Sequence, residues 1–177
     1  AMLRGAEVTL ISGPTAIEPP MFVNVIPIIS AQEMFEKVAT NATENDIIIK
    51  AAAVADYRPK EVCDEKIKKS DHDTEIELER TTDILAYLGK NKGKTFLCGF
   101  SMETENMLEN SRRKLDKKNL DMIVANNLKD KGAGFGVDTN LITIITRDRE
   151  LQLELMSKQD AANCILDEII RKIGNRE

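Results

Sequence analysis

The chain has 177 residues, 25 of them Lys or Arg and 30 Asp or Glu, for a net charge of −5, and its 42% hydrophobic content suits one globular domain with its own core. The acidic balance argues against general nucleic-acid binding. No apolar run approaches the ~20 residues of a membrane span, and a single histidine, His72, argues against a serine-type triad or a multi-histidine metal centre. Three scattered cysteines (Cys63, Cys98, Cys164) read as reduced thiols, and the opening Ala1-Met2-Leu3-Arg4-Gly5 has no secretory layout, so a cytoplasmic protein is expected.

Strand-like and helix-like segments alternate along the chain. Glu7-Val8-Thr9-Leu10-Ile11-Ser12 reads as a strand closed by Gly13-Pro14. Ser30-Ala31-Gln32-Glu33 is a capping box that opens a helix through Met34 and Val38. Asp46-Ile47-Ile48-Ile49 forms a strand that runs on into Ala51-Ala52-Ala53-Val54, apolar on both faces as a helix-covered sheet requires. A helix beginning at Thr82 or Asp83 and stopping near Gly89 precedes the strand Thr95-Phe96-Leu97-Cys98-Gly99. A third helix, over about residues 104–118, precedes the strand Met122-Ile123-Val124-Ala125. The tail reads as an antiparallel hairpin, residues 141–145 against 151–155 around Arg147-Asp148-Arg149-Glu150. Ser157-Lys158-Gln159-Asp160 then caps a last helix carrying Ile165, Leu166, Ile169, Ile170 and Ile173 at helical spacing. With no repeat and no linker, residues 1–177 are expected to form a single domain. The expected fold is an α/β, Rossmann-like three-layer sandwich: a mostly parallel sheet, helices on both faces, and an antiparallel C-terminal hairpin.

Ligands of such sheets bind beyond the carboxyl ends of the strands, so the residues there are the site candidates. Ala51-Ala52-Ala53-Val54-Ala55-Asp56 either lets a ligand approach the backbone, with Asp56 as acceptor, or packs a helix on the sheet. Glu65-Lys66-Ile67-Lys68-Lys69-Ser70, if extended, points Lys66 and Lys68 to one face, which is either a phosphate site or a solvated, protected edge. Gly99 permits a tight strand exit, Phe100 offers a ring to a flat base, and Thr104 is placed to cap the next helix. Lys114 and Lys118, four apart, share one helix face and either grip a triphosphate or are merely solvated. Asn126, at another strand end, serves a ligand or a turn. The glycines of residues 132–136 lack a preceding strand-to-helix turn and read as a loop. The dinucleotide fingerprint is likewise missing after the first strand, which places a reductase well behind other functions.

The order of these blocks carries more than any one of them. Arg4-Gly5 through Gly13-Pro14, Ala52-Ala53-Val54-Ala55-Asp56-Tyr57-Arg58-Pro59, Lys66-Ile67-Lys68-Lys69, Asp83-Ile84-Leu85, Gly99-Phe100, Glu103-Thr104 and Val124-Ala125-Asn126 together resemble phosphopantothenoylcysteine synthetase over essentially the whole chain. The likeness is to the synthetase half of the bifunctional decarboxylase/synthetase of coenzyme A biosynthesis. It implies a ligase, CTP-dependent, that joins 4'-phosphopantothenate and L-cysteine through an acyl-cytidylate, with Mg²⁺ shielding the triphosphate. It also implies a homodimer and a decarboxylase domain upstream.

By the same resemblance, Ala51, Ala52, Ala53 and Asp56 line the cytidine pocket and Lys66 is the catalytic lysine, on a flap near the dimer interface. Phe100 contacts the nucleotide, Lys114 and Lys118 hold its phosphates, Asp83 and Ile84 help enclose it, and Asn126 falls in a strand-end motif and touches substrate. The sequence departs from the family pattern in Thr81-Thr82 for Asn-Pro, Ser101-Met102 for two alanines, and Asn127 for Asp. It is also expected to start after the family's first strand and Asn-x-Ser-Ser-Gly loop, which would leave the sheet one central strand short. That expectation makes a nucleotide-binding but catalytically silent fragment or partner subunit the alternative reading.

Overall fold

β-Branched and aliphatic runs build the centre of the structure, a computed structural model that describes residues 1–63, 65–66, 75–103, 105–127 and 136–174. After a short 3-10 turn, β1 (Thr9–Ser12) pairs in parallel with β2 (Asn24–Pro27) as a separate two-stranded sheet. Helix α1 (Ala31–Asn41) follows. Its predicted capping box is formed: Ser30 Oγ accepts from the Glu33 N–H at 3.2 Å, and the Glu33 carboxylate accepts from the Ile29 N–H at 2.9 Å.

The main sheet has five strands in the order β10-β9-β7-β6-β3. Strands β3 (Ile47–Lys50), β6 (Phe96–Glu103) and β7 (Met122–Asn127) are parallel; β9 (Ile142–Thr146) is antiparallel to β7 and β10 (Glu150–Gln152) to β9. Two antiparallel ribbons complete the strands: β4 (Tyr57–Pro59) with β5 (Leu78–Arg80), and β8 (Thr139–Asn140) with β11 (Met156–Ser157). The Rossmann-like sandwich read from the sequence is therefore the fold.

Alternation along β6 and β7 sends residues to two cores. Leu97 and Ile123 pack on one face with Met34 of α1, Leu85 and Leu88 of α2 (Ile84–Asn91) and Leu115 of α3 (Met107–Lys117). Phe96, Cys98, Met122 and Val124 pack on the other with Ile165 and Ile169 of α4 (Lys158–Gly174). Burial pushes the Cys98 thiol up out of the range in which it ionises. A charged pair also holds the sheet's lower edge, where Lys92 meets Asp121 at 2.7 Å and Asp121 accepts from the Leu97 N–H at 2.8 Å. No helix among the described residues is long and apolar enough to cross a membrane.

Several boundaries move from their expected places. Strand β3 stops at Lys50 and does not run through the alanines; alanine has little to pack on a pleated surface, and the Lys50 ammonium instead donates to the Ala52 carbonyl at 2.8 Å. Strand β6 extends to Glu103 because β7 pairs with it throughout, Glu103 opposite Asn127. Gly99 is therefore not a strand exit. It lies mid-strand, where a Cβ would come within 2.7 Å of Leu85 and 3.1 Å of Leu120. Helix α3 begins later than expected, at Met107, with Asn106 as its N-cap at φ 49°. The β10 partner of the C-terminal hairpin is shorter than residues 151–155, and the β8–β11 ribbon was not legible as strands. Thr104 and residues 132–135 lie outside the described residues.

Helix α2 rests on the end of α3 through a bare backbone contact. A Cβ on Gly89 would lie 1.8 Å from the Lys118 carbonyl oxygen, and that atom belongs to the main chain. Gly89→Ala should therefore push the helices apart and lower stability by about 1–3 kcal/mol or more, the usual range for overpacking. Urea unfolding of the variant against the wild type measures it, with Gly93→Ala, at an open left-handed position, as the control for pure backbone strain.

Candidate active site

A cleft of about 830 Å³ runs between β1 and β3 over the length of β3, from Asn45 and Ile47 to Lys50, and reaches the carboxyl ends of the parallel strands. Its floor is the gap between the unpaired edges of β1 and β3, and its rim is built from strand ends. Gly13 follows β1, Lys50 ends β3 with Ala51 and Ala52 behind it, Phe100 and Ser101 stand on β6, and Asn126 stands on β7. Strand β3 ends opposite Gly99, so the last four residues of β6 run past it and leave a step on which a ligand can lie.

Cations converge at this step, and two of them, Lys118 and Lys114, are each paired with an acid. The Lys118 ammonium lies 2.9 Å from Asp83 Oδ2, and Asp83 also caps α2 by accepting from the Ala86 N–H at 3.0 Å. Burial pushes the Asp83 carboxyl up, but the hydrogen bonds from Lys118 and Ala86 and the charges of Lys118 and Lys50 outweigh it and hold the group below its ordinary range. Lys114 pairs with Glu103 and donates to Ser101 Oγ at 3.3 Å. Glu103 is likewise pushed up by burial and brought net below its ordinary range by Lys114, Ser101 and Asn110.

Lys50 is the cation left undercompensated. Burial and the neighbouring Lys118 both lower its pKa, and Asp83 and Asp56 only partly oppose them. An arriving phosphate would supply the missing negative charge. Lys50 was not among the sequence candidates. Its signal was a charge ending an otherwise apolar strand, Ile47-Ile48-Ile49-Lys50.

The sequence candidates fall into three groups. Ala51, Ala52, Phe100 and Asn126 line the cleft. Asp56, Asp83, Lys114 and Lys118 stand around it through the interactions above. The Asp56 loop is tied down because its carbonyl accepts from the Thr81 N–H at 3.0 Å and Ala55 O accepts from Thr81 Oγ1 at 2.6 Å. Ala53 and Lys66 are exposed and outside the cleft lining, and Ile84 is buried in the core at 2% exposure, so only its backbone is available to a ligand. Lys66 makes no hydrogen bond or ion pair with the described residues; Lys68 and Lys69 lie outside them. The ribbon that leads to Lys66 is laced by Arg58–Glu79 at 2.7 Å and Lys60–Glu77 at 2.9 Å.

With this geometry in view, the family model described as DNA/pantothenate metabolism flavoprotein C-terminal domain matches residues 1–173. The chain belongs to that family. It is 47% identical over 171 residues to the coenzyme A biosynthesis bifunctional protein CoaBC of Bacillus subtilis (strain 168), covering 96% of this chain and 42% of that protein. It is also 47% identical over 176 residues to a cysteine/cysteine sulfinic acid decarboxylase of an unknown prokaryotic organism, covering 98% and 48%. Among solved structures, the C-terminal domain of a CoaBC protein superposes with a TM-score of 0.82 at 40% identity, covering 98% of this chain and 78% of that one. The chain thus spans under half the length of these curated relatives.

Two outcomes test the electrostatics. The Asp83–Lys118 and Glu103–Lys114 pairs stabilise the fold fully above the unfolded-state carboxyl pKa, near 4, and this contribution fades as pH falls through the lower folded values. Thermal unfolding between pH 7 and pH 3 should show a shallower acid loss for Lys118→Met than for the wild type. Separately, Lys50→Met should weaken nucleotide triphosphate binding about tenfold or more by calorimetry, the size expected for losing one charge-assisted contact.

Proposed function

We propose that this domain is a CTP-dependent ligase of coenzyme A biosynthesis that joins 4'-phosphopantothenate to L-cysteine. Membership of the DNA/pantothenate metabolism flavoprotein C-terminal domain family supports this reading, as does likeness to the C-terminal domain of a CoaBC protein. The observation that carries it is the gathering of Lys50, Lys114 and Lys118 beside a cleft whose rim carries the small residues Gly13, Ala51 and Ala52, an arrangement suited to a nucleoside triphosphate.

In the proposed reaction the substrate carboxylate attacks the α-phosphate of CTP, forming the acyl-phosphate bond and releasing pyrophosphate. The amine of cysteine then attacks the acyl carbon, the bond to CMP breaks, and the amine proton leaves as the amide forms. A carboxylate acylates poorly, and the nucleotidyl leaving group removes that barrier. Ala51, Ala52 and Asp56 receive the cytidine, with Phe100 against it. Lys50, Lys114 and Lys118 meet the phosphates and offset the charge that grows on their oxygens. Lys66, unengaged in the described structure, is the catalytic lysine of this proposal and approaches the α-phosphate once the nucleotide is seated.

Among the described residues no group of three or more acidic, cysteine or histidine side chains stands ready to hold a metal, and Asp83 and Glu103 are already engaged by lysines. Magnesium binds largely through substrate phosphates and one or two carboxylates, so in this proposal Mg²⁺ travels with the CTP and shields its triphosphate. A homodimer, a cytoplasmic location and a decarboxylase domain fused upstream belong to the same reading.

Mixing the full-length protein with CTP, Mg²⁺, phosphopantothenate and cysteine should release pyrophosphate. Lys66→Ala should slow that release by about 10²–10³-fold, the usual cost of removing one group that stabilises transition-state charge. CTP binding without pyrophosphate release would replace the ligase with a silent nucleotide-binding domain.

A further inference from the structure

The cleft continues past Phe100 into a corner that the nucleotide residues leave unused. Asn126 near the end of β7, Asn140 at the end of β8 and Lys158 at the start of α4 all line it. Strand pairing fixes their placement. Asn126 lies opposite Ile142 on β9, two residues beyond Asn140, while Met156 and Ser157 lie opposite Asn140 and Thr139. Lys158 follows directly, its N–H donating to the Asp138 carbonyl at 2.9 Å.

Each of the three has an unmet requirement. Asn126 is only 7% exposed, yet its Oδ1 has no hydrogen-bond partner, a rarity among buried acceptors. The soft terminal torsion of an asparagine lets that oxygen turn toward a ligand. Asn140 Oδ1 is taken, accepting from the Leu141 N–H at 3.1 Å, which leaves its amide NH₂ as a donor. The Lys158 ammonium makes no ion pair or hydrogen bond with the described residues, and it stands at the positive end of a 17-residue helix.

A lone anion would satisfy Lys158 but leave the Asn126 oxygen facing negative charge. A ligand that carries an N–H donor a short distance from a carboxylate satisfies all three residues, and an α-amino acid is the compact case. We propose that Asn126, Asn140 and Lys158 form the amino-acid subsite of the ligase, the α-amine donating to Asn126 Oδ1 and the α-carboxylate seated on Lys158 and the Asn140 amide. The proposal rests on the ligase reading above and assigns Asn126 to the amine substrate, where the sequence resemblance gave it to substrate without saying which. The corner lies two strand spacings across the sheet and three residues farther along it than Lys50, roughly 14 Å away, so both substrates can be held on one sheet end.

Cysteine and cysteamine differ only in the carboxylate, so the ratio of their kcat/KM values isolates the contact with Lys158. With the full-length protein, CTP, Mg²⁺ and phosphopantothenate, the wild type should prefer cysteine. Lys158→Met should raise the KM for cysteine about tenfold with that for cysteamine little changed, and Lys158→Arg should restore most of the preference. A preference that survives in Lys158→Met, or a rise in KM for phosphopantothenate instead, overturns the subsite. Exchange of labelled pyrophosphate into CTP, run without any amino acid, checks the underlying reading. Its absence from the wild type overturns the ligase and the subsite with it, whereas its presence alongside an unaltered preference overturns the subsite alone.

Discussion

The unequal length of two paired strands shapes everything at the functional end of this molecule. Strand β3 is hydrogen-bonded to β6 only as far as Lys50 opposite Gly99, while β6 and β7 go on pairing to Glu103 and Asn127. The chain leaves the sheet at the alanines, and the side chains of the longer strands stand uncovered above the end of the shorter one. Small residues on one side and a half-buried ring on the other give a ligand both room and a surface. Had β3 continued through Val54, its own backbone would cover that step.

That recess collects positive charge at a cost the fold offsets locally. Lys114 and Lys118 project from one face of α3 and meet acids that belong to other elements, Glu103 on β6 and Asp83 at the head of α2. Each pair places its lysine before any substrate arrives, so little side-chain freedom remains to be lost on binding. Lys50 differs because burial and a like charge both act against its ammonium. A poorly compensated cation therefore stands at the strand end that ligands of this fold approach.

Much of this was legible in the sequence, and the reasons differ by element. The strands of the main sheet declared themselves by β-branched runs that need cover on both faces, and the Ser30–Glu33 box marked a helix start because its hydrogen bonds are local. Asp83 and Lys118 were legible as candidates, but their pairing across 35 residues was not. Gly99 was read as a turn residue from its type, whereas its role is the approach of Leu85 and Leu120, which only packing reveals. The two-residue strands β8 and β11 carry too short a pattern to announce themselves, so Asn140 stayed hidden among loop residues and Lys158 was read only as part of the cap that opens the last helix. Lys50 was passed over as the polar end of a hydrophobic run, since sequence alone does not tell an edge lysine from a cation turned into a cleft.

The contact at Gly89 has a wider meaning for how this domain can change. Because α2 seats on main-chain atoms of residue 118, the spacing between two anchors of the cleft is set by peptide geometry, independent of which side chains decorate either helix. Exposed positions along α2 and α3 are thus free to drift, and rim residues can be exchanged for others, without moving the Asp83–Lys118 pair. Variation is channelled toward the rim and away from the spacing of the two helices, which is held by a residue with no side chain to lose.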